Sequence, residues 1–221
     1  MNDISNTSVF DARFVHPFIF VVAGPTMVGK THFVNEIIAN KERLITKPPQ
    51  NIVRFYGETT KLIEKSEQNS DFKINYINGI PDSYDQFIHH TKPNLFVFDD
   101  LMLEISKNEK MVDLITKKAH HKNISIILIL QDIFYKGSER KTLLRNAQYI
   151  TIFCNPLDLS GVYSLGFRIA PKRINKFINL FEAITSKKHG YLVIDGKSTT
   201  PPGARFRTDI FKPYQRAFRL T

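Results

Sequence analysis

The chain has almost no cysteine and no run of residues suited to a membrane, and each shortage narrows what it can be. Cys154 is the only cysteine among 221 residues, so neither an intrachain disulfide nor a cysteine-rich metal site can form. It reads as a small packed residue on a strand rather than a nucleophile. No uncharged apolar stretch approaches the roughly 20 residues needed to cross a bilayer. The opening segment, Met1 to Asp11, is polar and mixed and has no apolar h-region of a secretion signal. An intracellular protein with no membrane partner is therefore expected, and the acceptor triplets at Asn6 and Asn123 are discounted as glycosylation sites. Zinc-finger, bZIP and RRM signatures are missing, as are internal repeats and any clear domain boundary.

Charge is what the chain has in excess. Lysine and arginine number 31 against 21 acids, a formal net charge of +10, and the pI is about 9.6. A nucleotide ligand alone does not call for such an excess; a polyanion such as nucleic acid, contacted through its phosphates, does. A basic surface serving solubility is the simpler alternative. The denser basic groups fall at Lys136 to Arg145, at Arg168 to Lys176, and in the tail at Arg205, Arg207, Lys212, Arg216 and Arg219.

Gly24-Pro25-Thr26-Met27-Val28-Gly29-Lys30-Thr31 spells G-x-x-x-x-G-K-T. It follows the apolar, β-branched run Pro17 to Ala23 and precedes Thr31 to Ile38, where Phe33, Val34, Ile37 and Ile38 recur at helical spacing. Strand, glycine loop, helix is the context in which the motif binds phosphate. Gly24 and Gly29 allow tight turning and close approach of backbone N–H groups, and the helix that follows adds its positive dipole end. Lys30 is expected to reach the β- and γ-phosphates of ATP, and the Thr31 hydroxyl to ligate Mg²⁺. Met27 occupies a position that is strained for a bulky residue if it requires a positive φ.

Asn94 to Phe98 is apolar after its first residue and ends in Asp99-Asp100, the form of a Walker B strand end. Asp99 is assigned to the metal and Asp100 to polarising the attacking water. Asp-Asp after a strand can also simply cap a helix or open a turn. The clearest strand, Ile124 to Leu130, ends at Gln131, where an amide can sense the γ-phosphate or hold the water. Further strands are expected at 51–56, 72–77, 149–153 and 191–194, with helices through Tyr84 to Ile88, across 105–121 and across 174–184. This alternation predicts an α/β fold, with a mainly parallel central sheet flanked by helices. The whole chain, 1–221, is read as one P-loop ATPase domain, with 1–14 an N-terminal extension and 197–221 a basic C-terminal tail. His89-His90 and His120-His121 do not chelate as adjacent pairs, because neighbouring side chains on a helix diverge by about 100°.

Asp99-Asp100-Leu101-Met102, His120-His121-Lys122-Asn123-Ile124-Ser125, Gln131-Asp132-Ile133-Phe134 and Leu144-Arg145-Asn146 resemble the genome-packaging ATPases of Polinton-like elements and related large DNA viruses. These belong to the FtsK/HerA branch of P-loop ATPases. The resemblance runs from about Phe18 to Phe211. It implies an ATP-driven motor, a homo-oligomeric ring that moves double-stranded DNA non-specifically into a capsid and is intracellular or virion-associated, with capsid or portal components as partners. The family reads Asn-Pro-Arg-Asp where this chain has Asn155-Pro156-Leu157-Asp158, so that arginine's role must fall elsewhere. Arg145 matches a family arginine and is the first choice for acting on a neighbouring subunit's site, with Arg140 second. Lys136, Arg140 and Lys141, in the loop after Gln131, are the candidate DNA contacts. Two other readings stay open: a P-loop nucleoside or nucleotide kinase, for which no arginine-rich lid is evident, and a nucleotide-binding nucleic-acid adaptor without turnover.

Overall fold

Ile124–Leu130 forms strand β5, and all seven of its residues are buried, as a run apolar at every position but Ser125 must be when helices cover both faces of a sheet. The structure is a computed structural model that describes residues 10–57, 73–133 and 145–221. Around β5 lie β1 (Ile19–Ala23), β2 (Asn51–Tyr56), β3 (Ile74–Asn78), β4 (Asn94–Asp99), β6 (Tyr149–Phe153), β7 (Tyr191–Asp195), β8 (Phe206–Thr208) and β9 (Arg216–Phe218). The order across the sheet is β3-β2-β4-β5-β1-β6-β7-β8-β9. The first six in that order run parallel, and the last three extend the sheet antiparallel. The carboxyl ends of β1, β4, β5 and β6 therefore share one edge.

Alternate residues of the strands feed two cores. One face packs Phe20, Val22, Val97, Ile127 and Ile129 against Phe33, Val34, Ile37 and Ile38 of α1 (Lys30–Ala39); the short α2 (Lys41–Leu44) adds Leu44. The other face packs Val21, Phe96, Phe98, Ile126 and Leu128 beneath α3 (Met102–Lys107), α4 (Glu109–Asp113), α5 (Ser160–Ile169) and α6 (Ile174–Thr185).

The structure departs from the expected elements in three places. The helix expected across 105–121 is α3, then α4, then a π-helical turn at Leu114–Lys118. Asn108 makes the break, because its side chain accepts from the Met111 N–H and caps α4. The helix expected through Tyr84 to Ile88 is a single 3-10 turn at Asp85–Phe87. There the Asn94 side chain binds the His89 N–H at 2.8 Å and the carbonyls of His89 and Lys92 at 3.0 and 2.9 Å, holding the chain extended. Residues 197–221, expected as a basic tail, contribute β8 and β9, and Arg207 is buried beside Asp195 at 3.5 Å and over the Phe14 ring. Lys212 and Arg216 pair with Asp209. Part of the charge expected to meet a polyanion is therefore consumed inside the fold. No helix among the described residues is long and apolar enough to cross a membrane.

Candidate active site

The phosphate loop leaves the carboxyl end of β1 and enters α1, with Gly29 as the residue before the helix at φ 105°. Gly24 is required by packing: a Cβ there would stand 2.8 Å from the Cβ of Phe153 on β6. Met27 lies at φ 66° and is 92% exposed, so the position does carry the left-handed backbone that a bulky residue resists. Phe33 N–H closes the first turn of α1 on the Gly29 carbonyl at 2.9 Å. The earlier N–H groups of the helix are the ones such a terminus leaves for a ligand.

Lys30 donates from Nζ to the Pro25 carbonyl at 2.7 Å, folding back over its own loop. Burial pushes its pKa below the usual lysine value, while the negative charges of Asp100 and Asp99 oppose the shift. Lys30 follows β1, Asp99 ends β4 and Asp100 comes next, so all three stand at the shared carboxyl edge of the sheet.

The two acids differ in setting. Asp99 ends β4, and its Oδ2 receives a 2.5 Å hydrogen bond from Arg54, a guanidinium with 0% of its side chain exposed. The other arm of Arg54 donates to Asn35 Oδ1 on α1 at 2.7 Å. One buried cation thus ties the acid strand to the helix of the phosphate loop. Arg54 lies on a strand that the apolar pattern identified, yet its role was missed; an arginine inside a buried run was the available signal. Asp100 is exposed, stands at φ 56°, and its Oδ2 receives a 2.5 Å bond from the Gln131 amide. Because β5 lies between β4 and β1, Gln131 stands between the acids and the phosphate loop.

Around Gly24 and Gln131 a cleft of about 100 Å³ is lined also by Asp132, Phe153, Asn155 and Asp158. Asn155 and Asp158 turn the chain into α5 through bonds to the N–H groups of Leu157 and Ser160, and Leu157 projects with 95% exposure. Arg145 is exposed and lies four positions ahead of β6, at the opposite edge of the sheet from the phosphate loop. It is not part of its own chain's cluster. Lys136, Arg140 and Lys141 lie outside the described residues. His89, His90, His120 and His121 are all exposed, and no group of three metal-ligating side chains occurs among the described residues.

The residues present suit a magnesium triphosphate. The donor set combines an electropositive helix terminus, a hydroxyl at Thr31, and an Asp99 carboxylate whose Oδ1 makes no hydrogen bond among the described residues.

No family model and no curated protein matches the chain. Solved structures do. The DNA-packaging ATPase B204 from Sulfolobus Turreted Icosahedral Virus superposes with a TM-score of 0.56 at 14% identity, covering 84% of this chain and 96% of that one. The genome-packaging NTPase B204 from Sulfolobus turreted icosahedral virus 2, in complex with ATP-gammaS, gives 0.53 at 14% identity, over 83% and 94%. Its complex with AMP gives 0.52 at 15% identity, over 90% and 98%. The chain shares the fold of these P-loop NTPases across nearly their whole length.

Proposed function

We propose that the chain is an ATP-hydrolysing translocase of double-stranded DNA that packages a viral or virus-like genome into its capsid, working as a homo-oligomeric ring. One observation carries the reading: Lys30 after β1, Asp100 after β4 and Gln131 after β5 share the carboxyl edge of a sheet whose fold is that of packaging NTPases. The kinase reading gains no comparable support.

Lys30 would leave the Pro25 carbonyl to meet the β- and γ-phosphates, and the N–H groups of Gly29 and the first turn of α1 would bind the phosphate oxygens. Thr31 and Asp99 would hold Mg²⁺, which supplies charge neutralisation on those oxygens. Asp100 accepts a proton from water as general base. The Gln131 amide, by donating to Asp100 Oδ2, fixes the carboxylate and leaves Asp100 Oδ1 and its own Oε1 to position that water. Asp is one methylene shorter than the Glu common at this place in related ATPases, and the Gln131 contact is what holds the shorter acid in position. Around the start of α6 the exposed Lys172 can meet DNA, whereas Arg173 and Lys176 already donate to the carbonyls of Leu220 and Thr221; the loop of Lys136, Arg140 and Lys141 is the other candidate.

Phosphate release from ATP, measured with and without duplex DNA, tests the reading. Release stimulated by DNA is expected. Transfer to an added nucleoside would instead identify a kinase, and no turnover in either condition an adaptor.

A further inference from the structure

The phosphate loop is gripped from outside by a side chain that no motif contains. His189 sits in the turn between α6 and β7 at φ 58°, and its Nδ1 lies 3.0 Å from the Val28 carbonyl oxygen. A carbonyl only accepts, so Nδ1 carries the hydrogen. The same nitrogen would stand 3.3 Å from a Cβ placed on Gly29, so the imidazole lies directly against the Val28–Gly29 peptide. The turn itself has little freedom. A Cβ on Gly190 would come within 2.5 Å of the Ile184 carbonyl oxygen, so the chain passes hard against the end of α6 as it carries His189 to the loop. A histidine with left-handed backbone persists only where its surroundings hold it there.

A peptide group is planar and trans, so its C=O and N–H point in opposite directions. With the Val28 carbonyl turned out to His189, the Gly29 N–H is turned away from it, into the loop. Gly29, at φ 105° and without a side chain, is where this peptide could most easily rotate. We propose that His189 is a positioning residue for the phosphate site: it locks the Val28–Gly29 peptide so that the Gly29 N–H faces the phosphates of a bound nucleotide. The inference rests on the phosphate-loop reading above and adds a residue from the far end of the chain to that site.

The test uses the full chain, with ATP as titrant and steady-state phosphate release as second readout. His189→Phe and His189→Gly both remove the donor, and glycine tolerates the backbone. Each is expected to raise Kd and KM for ATP by roughly five- to tenfold, the loss of about one hydrogen bond, while kcat stays within about twofold because the chemistry of Asp100 and Gln131 is untouched. His189→Asn, whose Nδ2 can occupy the place of Nδ1 and whose backbone accepts a positive φ, is expected to restore tight binding. Lys30→Ala serves as the control for the site itself. Wild-type affinity in both donor-less variants, with Lys30→Ala impaired, would overturn the role of His189 alone; so would failure of asparagine to rescue them. If the unmodified protein takes up no ATP, the phosphate-loop reading falls and this inference with it.

Discussion

Arg54 donates to Oδ2 of Asp99 across 2.5 Å, and the guanidinium making that bond is wholly buried. Its Nε has no hydrogen-bond partner among the described residues, so within them the two outer nitrogens, on Asp99 and Asn35, carry its bonding. Removing one member of a buried ion pair leaves the other uncompensated, at about 3–5 kcal/mol. Arg54→Met is expected to lose about 3 kcal/mol of stability, the low end because Asp99 keeps 14% side-chain exposure. Denaturant midpoints would check this, and a midpoint within error of wild type would show that the pair contributes nothing. Asp99→Asn should also destabilise, so its lost activity alone cannot assign Asp99 to the metal.

Asp100 offers the cleaner test of catalysis. It is exposed and stands at φ 56°, a conformation asparagine accepts as readily. Asp100→Asn should therefore change stability by no more than about 0.5 kcal/mol and lower kcat by roughly 10²–10⁴-fold, with ATP still bound. Gln131→Ala frees the carboxylate to swing, and a misplacement of that kind costs up to about 10²-fold. If turnover in Asp100→Asn stays near wild type while Lys30→Ala is dead, another group is the base.

Much of this was legible in the chain because the signals were local. The runs of β1, β2, β4, β5 and β6 are apolar but for Arg54, Ser125 and Thr151 within them and polar residues at the ends of β2 and β4, being buried on both faces, and the phosphate loop carries its chemistry in eight adjacent residues. What was not legible depends on distant partners. Nothing around Arg54 announces Asp99, 45 positions away, and nothing around His189 announces Val28, 161 positions away. α5 escaped the periodicity because two glycines, Gly161 and Gly166, sit within Ser160–Ile169. The run Asn123-Ile124-Ser125 was read for family likeness, and the structure gives its two polar residues a physical task. Both bind the ring of His16, just ahead of β1, at 2.8 and 2.6 Å. They anchor the strand that delivers the phosphate loop.

Arg145 has to act on a neighbour if it acts at all. It precedes β6, which runs parallel to β1, so a five-residue strand, about 16 Å long, separates it from the phosphate-loop edge of its own chain. The exposed Leu157 beside the cleft supplies no cation to the cis site either. Arg145→Ala is expected to lower turnover by roughly 10³-fold, and mixed assemblies should lose activity faster than the share of variant subunits rises. Activity that simply follows the share of wild-type subunits would remove Arg145 from the trans role and leave Arg140 as the next to test.

His16 should make stability depend on pH. Its ring is buried. Asn123 Oδ1 can only accept, so Nε2 carries the hydrogen and Nδ1 accepts from the Ser125 hydroxyl, which in turn accepts from Phe18 N–H at 3.2 Å. This closed set fits the neutral imidazole. Burial pushes the His16 pKa below its ordinary value, the charges of Lys47 and His120 push the same way, and the Asn123 bond opposes them. In the window between the depressed folded value and about 6.5, the unfolded chain binds the proton and the folded chain does not. Stability therefore rises with pH through that window and is lost as pH falls through it, with a slope of at most about 1.4 kcal/mol per pH unit for one proton. Urea midpoints between pH 7.5 and 5.5 should decline more steeply for the wild type than for His16→Gln, whose amide titrates nowhere in that range. Equal slopes in the two proteins would mean that some other group controls acid sensitivity, and that β1 does not owe its anchorage at neutral pH to an uncharged His16.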